Sequence, residues 1–162
     1  MDLSRGERII LGIFRQYDCA KDKPMEPVQW KVAKSQLPPP LQRDAQKYLE
    51  SLQEKGLIRI GKDERLVLTE QGERLAWSDL DDDEAQRLIL ESIAQEIEEG
   101  RMWPGQPFAI SIRIRERLPR LVVRDLQRYL DLLVERHLLE QKGEEYMVTA
   151  QGEEAIYGRF DG

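Results

Sequence analysis

The chain has 162 residues, of which 40% are hydrophobic and 35% charged, and it carries a net charge of −6. That length holds one ordinary domain or two small ones, and the composition is that of a soluble globular class with small cores and much surface. No run of about eighteen apolar residues is present to span a membrane, and a net acidic chain does not coat nucleic acid along its whole surface, though a local basic patch stays open.

The stretch Met1-Asp2-Leu3-Ser4-Arg5 lacks the apolar run of a signal peptide. A first helix is predicted over about 4–18, where Ile9, Ile10, Ile13 and Tyr17 form one apolar face. Cys19 follows as a small residue expected to be partly buried. A lone cysteine allows no internal disulfide and fits a cytoplasmic home. A short second helix is predicted over about 28–36, and Pro38-Pro39-Pro40 then force a break. The third helix, about 41–55, turns Leu41, Ala45, Tyr48, Leu49 and Leu52 inward, and Gly56 ends it as a left-handed cap. Strands over 57–60 and 65–68 flank the turn Gly61-Lys62-Asp63-Glu64, and a closing helix lies near 70–77.

The same order then returns. A helix over about 82–99 opens on Asp81-Asp82-Asp83-Glu84, acids that suit a helix N-terminus. Next comes a short element over about 111–118. The alternation of Ile110, Ile112 and Ile114 admits a strand there, but Ile110, Ile114 and Leu118 make a helical face, and the repeat decides for helix. Pro119 breaks the chain, and a third helix over about 121–136 buries Val122, Leu126, Tyr129, Leu130 and Leu133. His137 takes the place of Gly56, a hairpin turns at Lys142-Gly143-Glu144, and a closing helix lies near 151–157.

The repetition is one of residues as well as of pattern. LQRDAQKYLESLQEKGLI (41–58) and VVRDLQRYLDLLVERHLL (122–139) are identical at eight of eighteen positions, at an offset of 81. LTEQGE (68–73) matches VTAQGE (148–153) at an offset of 80, as Ile9, Ile10, Ile13 and Tyr17 match Ile89, Leu90, Ile93 and Ile97. Three matches in one order identify a duplication. The expected domains are 1–78 and 84–162, joined by a short acidic linker, 79–83.

Helix, helix–turn–helix, then hairpin is the layout of the winged-helix superfamily, and YLESLQEKGLIRIGKDERLVLTEQG resembles the third-helix-and-wing segment of many bacterial and archaeal winged-helix regulators. The resemblance covers nearly the whole chain as two tandem copies. It implies an α+β, mainly α, fold: two winged helix–turn–helix domains, each with three helices, a β-hairpin wing and a short closing helix. Winged helices most often bind DNA, and tandem acidic ones also serve as protein-binding adaptors.

Charge placement adds to this. Over 27–47, Lys31, Lys34, Arg43 and Lys47 face only Asp44, a net +3. Over 108–128, Arg113, Arg115, Arg117, Arg120, Arg124 and Arg128 face Glu116 and Asp125, a net +4, which leaves −13 for the rest of the chain. Positive charge is thus concentrated in the element that a DNA-reading winged helix places in the major groove. The outward stripes Arg43, Lys47, Glu50, Glu54 and Arg124, Arg128, Asp131, Glu135 both run basic to acidic, the reverse of what the helix dipole favours by about 0.3–1 kcal/mol per exposed charge. A groove or an acidic partner at the N-terminal half would select this order twice; duplication with intrahelical pairs such as Lys47–Glu50 and Arg128–Asp131 is the plainer alternative.

The expected function is double-stranded DNA binding by a transcriptional regulator, through Arg43, Lys47, Arg113, Arg117, Arg120, Arg124 and Arg128. The second copy is expected to contribute more, because Arg120, Arg124 and Arg128 recur every four residues along one helix side. Two reading helices could touch groove segments about 34 Å apart, so a monomer with a pseudo-dimeric repeat, or a homodimer, is expected. The alternative is a protein–protein adaptor. The acidic second wing, Lys142-Gly143-Glu144-Glu145, and the triple proline favour it, and in that case Arg113, Arg115 and Arg117 would be tied to the chain's own acids.

An enzyme is not expected, nor any cofactor. One histidine and one cysteine do not make a usual zinc site, and His137 is read as a helix end. Residues 56–62, GLIRIGK, match a phosphate loop up to its lysine, but Asp63 follows and the stretch lies in a strand and turn. Acid pairs leave a carboxylate-based hydrolase open on composition, although two small filled domains offer little room for a deep site. Trp30, Trp77 and Trp103 fall outside the main apolar stripes; a contact between the two copies is expected for them, with an exposed anchor for a partner as the alternative.

Overall fold

The computed structural model describes residues 2–157, so the final residues of the expected second domain lie outside the described residues. The protein is mainly helical with two small antiparallel hairpins, an α+β arrangement in which helix dominates. It divides into two compact units between Ser78 and Asp79. No helix among the described residues is long and apolar enough to cross a membrane.

In the first unit, α1 (Arg5–Gln16) begins at Ser4, whose hydroxyl accepts from the Glu7 N–H at 3.2 Å while the Glu7 carboxylate accepts from the Ser4 N–H at 3.0 Å. This reciprocal cap satisfies two of the N–H groups that a helix start leaves open. The helix buries Ile10, Leu11, Ile13 and Phe14. Next come α2 (Pro27–Ser35) and α3 (Pro39–Glu54), then β1 (Ile58–Ile60) and β2 (Leu66–Leu68), and finally α4 (Glu70–Ala76). The prolines do more than break the chain. Pro38 is the cap of α3, and Pro39 and Pro40 fill its first turn, where a missing N–H costs nothing and a fixed φ favours the helix. Ala45, Leu49 and Leu52 of α3 are buried, whereas Leu41 and Tyr48 are only partly covered.

The second unit repeats this order with α5 (Asp82–Glu98), α6 (Ile112–Glu116), α7 (Arg120–Arg124), α8 (Leu126–Glu135), β3 (Leu139–Lys142), β4 (Glu145–Val148) and α9 (Ala150–Tyr157). Its second element is a helix, as the repeat requires, with Ile114 fully buried and Ile112 72% exposed. The expected single helix over 121–136 is instead two, broken at Asp125 (φ −111, ψ 25). The matching Asp44 lies inside unbroken α3, so aspartate alone does not cause the break. The difference nearby is Val122-Val123, a β-branched pair that resists helix, in place of Leu41-Gln42.

Both hairpins pair in register, Ile58 with Leu68 and Leu139 with Val148. Each also gains a backbone bridge from the segment before its unit's second helix, Met25 with Leu66 and Phe108 with Tyr146, a pairing the sequence pattern does not reveal. Gly56 and His137 both adopt left-handed backbone, φ +73 and +62, at the ends of α3 and α8. Thr69 accepts from the Gly72 N–H and donates to the Gly56 and Leu57 carbonyls; Thr149 does the same with Gly152, His137 and Leu138. The duplicated T-x-Q-G is therefore a clamp between closing helix and hairpin.

Trp77 is used within its own unit. It is buried, its Nε1–H donates to the Cys19 carbonyl at 3.0 Å, and Arg15 lies 5.1 Å above its ring. Cys19 is fully rather than partly buried. Trp103 is 61% exposed.

Candidate nucleic-acid interface

In the first unit, burial of Ala33 on α2 and of Ala45, Leu49 and Leu52 on α3 fixes which faces look outward. Lys31 is exposed and Lys34 half-buried on α2; Gln42, Arg43, Gln46 and Lys47 are all exposed on the N-terminal half of α3. Glu50 and Glu54 continue the stripe, as the sequence order implies, but no Lys47–Glu50 pair forms among the described residues. Lys31, Lys34, Arg43 and Lys47 likewise make no ion pair or side-chain hydrogen bond among the described residues. Their charge is available to a ligand rather than spent on the fold. Val28 and Val32, 72% and 44% exposed, share the outer side of α2 with Lys31.

The second unit uses its cations differently. Arg117 bonds Glu96 at 2.6 Å and Glu99 at 2.8 Å, and Glu96 is only 4% exposed, so this guanidinium neutralises a buried carboxylate. Arg101 joins the same pair of acids. Arg128 bonds Asp82 at 3.0 Å and lies 4.6 Å above the Tyr129 ring. The Asp82 bond raises the pKa of Arg128, and no Arg128–Asp131 pair forms among the described residues; Asp131 instead accepts from Gln127. Arg120 and Arg124 bound α7 and each has an interaction within the chain. Among the described cations of the second unit, Arg113 and Arg115 are the two that are exposed and unpaired.

The structure also disrupts the expected arginine stripe. Arg120 and Arg124 belong to α7 and Arg128 to α8, and the break at Asp125 removes the continuous turn that four-residue spacing needs to align them. The pairing of Arg117 could not be found from sequence spacing, because Glu96 and Glu99 come from another helix end.

Other candidates resolve simply. GLIRIGK runs from a helix cap through β1 into a single 3-10 turn, Lys62–Glu64, in which Asp63 takes a left-handed φ of +59, and not into the α-helix that a phosphate loop leads to. Asp81 caps α5 by accepting from the Glu84 N–H at 2.8 Å. Among the described residues, no group of three or more His, Cys, Asp or Glu could hold a metal ion. No family model, curated protein or solved structure matches this chain.

Proposed function

We propose that the chain is a tandem pair of winged-helix units and that the first unit binds duplex DNA, as in a transcriptional regulator. The observation that carries this reading is the quartet Lys31, Lys34, Arg43 and Lys47, without internal partners among the described residues in a chain of net charge −6. A net +3 over 27–47, with Asp44 the one acid of that stretch, is an electrostatic feature that an anionic partner complements. Gln42 and Gln46 stand beside Arg43 and Lys47, and their amides match the donor and acceptor pair that adenine presents in the major groove.

The experiment is a salt titration of binding to mixed-sequence duplex DNA. Four phosphate contacts give a log–log slope of about −3 to −4, at roughly −0.9 per contact. Absence of binding at low salt overturns the reading. A protein–protein adaptor would then take its place, supported by exposed Val28, Val32 and Ile112 and by the closure of Arg117 onto the chain's own acids.

A further inference from the structure

The second unit holds a cleft of about 550 Å³ between its helices and its hairpin. Ile110, Val123, Leu126 and Leu130 give it an apolar floor, and Arg115 and Arg124 bring two guanidinium groups to its walls. Tyr146 also lines it. That tyrosine is 4% exposed, and its hydroxyl accepts from the Gln127 amide at 3.1 Å. The hydroxyl's own proton has no acceptor among the described residues. A hydroxyl that lines a cleft together with Arg115 can donate its proton to an anion bound there. Glu144 is the one acid among the residues lining the cleft, and Arg115 has no ion-pair partner among the described residues.

The tyrosine sets the second unit apart. Tyr146 is bridged to Phe108 as Leu66 is bridged to Met25, so the first unit has leucine where the second has the hydroxyl. The break at Asp125 falls between Arg124 and Leu126, both of which line the cleft. Departures from the first copy thus converge on one place.

We infer that this cleft binds a small organic anion, its charged group held by Arg115 and the Tyr146 hydroxyl and its apolar body lying on Ile110, Val123, Leu126 and Leu130. The inference does not depend on DNA binding by the first unit.

The test uses 1-anilinonaphthalene-8-sulfonate, an aromatic body with one sulfonate, followed by fluorescence and by amide NMR shifts on the full chain. Binding should saturate at one probe per chain and shift the amides of Gln127 and Tyr146. Arg115→Glu, at an exposed and unpaired position that does not disturb the fold, should weaken binding at least tenfold. Tyr146→Phe should weaken it several-fold, and Glu144→Gln should tighten it. The uncharged analogue N-phenyl-1-naphthylamine should bind at least tenfold more weakly than the sulfonate. A competing apolar groove lies at Trp103, Pro104 and Tyr157. If Trp103→Ala abolishes binding while Arg115→Glu does not, or if wild-type protein shows no saturable binding, the inference is overturned.

Discussion

Gly72 lies so close to Leu57 that a Cβ on the glycine would overlap the Leu57 carbonyl oxygen, and Gly152 lies against Leu138 in the same way. Each closing helix approaches its hairpin backbone to backbone, held there by the Thr69 or Thr149 hydroxyl. A side chain at either glycine must push helix and strand apart.

Gly72→Ala and Gly152→Ala should therefore each destabilise by about 2–4 kcal/mol, a cost of overpacking against backbone that cannot rotate away. Gly12, in α1 with open space around its missing Cβ, is the control. Gly12→Ala should stabilise by about 0.5–1 kcal/mol. Urea unfolding of the three variants checks both signs.

Glu7 supplies a pH dependence. Burial pushes its carboxyl up, but hydrogen bonds from Lys55 (2.7 Å), from the Ser4 backbone N–H (3.0 Å) and from the Ser51 hydroxyl (3.1 Å) outweigh burial and lower its pKa from 4.5 to about 2. Its stabilisation is complete above pH 4.5 and is lost as pH falls toward 2, because the unfolded chain takes up the proton first. Glu7→Gln should cost about 1–3 kcal/mol near neutral pH and flatten the acid limb of the Tm profile. An unchanged acid limb would assign that limb to other carboxylates.

His137 occupies a left-handed position at which the first unit has Gly56. A side chain there costs roughly 1–2 kcal/mol in backbone strain, partly offset by the freedom glycine gains when unfolded. His137→Gly should raise stability by about 0.5–1 kcal/mol. Gly56→Ala should lower it by a similar amount. Denaturant midpoints at constant m-value decide both.

The two copies should differ in DNA binding in a definite order. Arg43→Ala with Lys47→Ala should weaken duplex binding tenfold or more and reduce the salt slope by about 2. Arg124→Ala with Arg128→Ala should do less, since Arg128 already bonds Asp82. This reverses the ranking that a count of cations suggests. Equal losses, or a larger loss from the second pair, would show that the internal pairing does not govern affinity.

The tryptophans offer a spectroscopic check. Trp77 is buried with its indole N–H bonded to Cys19, and Trp103 is 61% exposed. Trp30 is half-buried, so iodide should quench Trp103 most and Trp30 less, and Trp103→Phe should remove the larger part of the quenchable emission. Trp77→Phe should leave that quenching intact and cost about 1–3 kcal/mol, because the Cys19 carbonyl loses its partner in a buried place.

The sequence by itself determined the order of elements, the duplication, the left-handed cap at Gly56 and a helix end at His137. These are legible because apolar periodicity, proline and cap residues, and residue identity at a fixed offset are local signals. The concentration of cations over 27–47 and 108–128 was equally legible, since charge can be counted. Only the tertiary structure decided which cations are available. Arg117 reaches Glu96 and Glu99, and Arg128 reaches Asp82, across gaps of 18 to 46 residues, and such pairings depend on how helices pack rather than on spacing along one helix. The break at Asp125, the clamp of Thr69 and Thr149, and the proton left free on Tyr146 were hidden for the same reason: each is set by what a residue meets from a distant part of its unit, or by a balance of propensities too small to read from one strand of sequence.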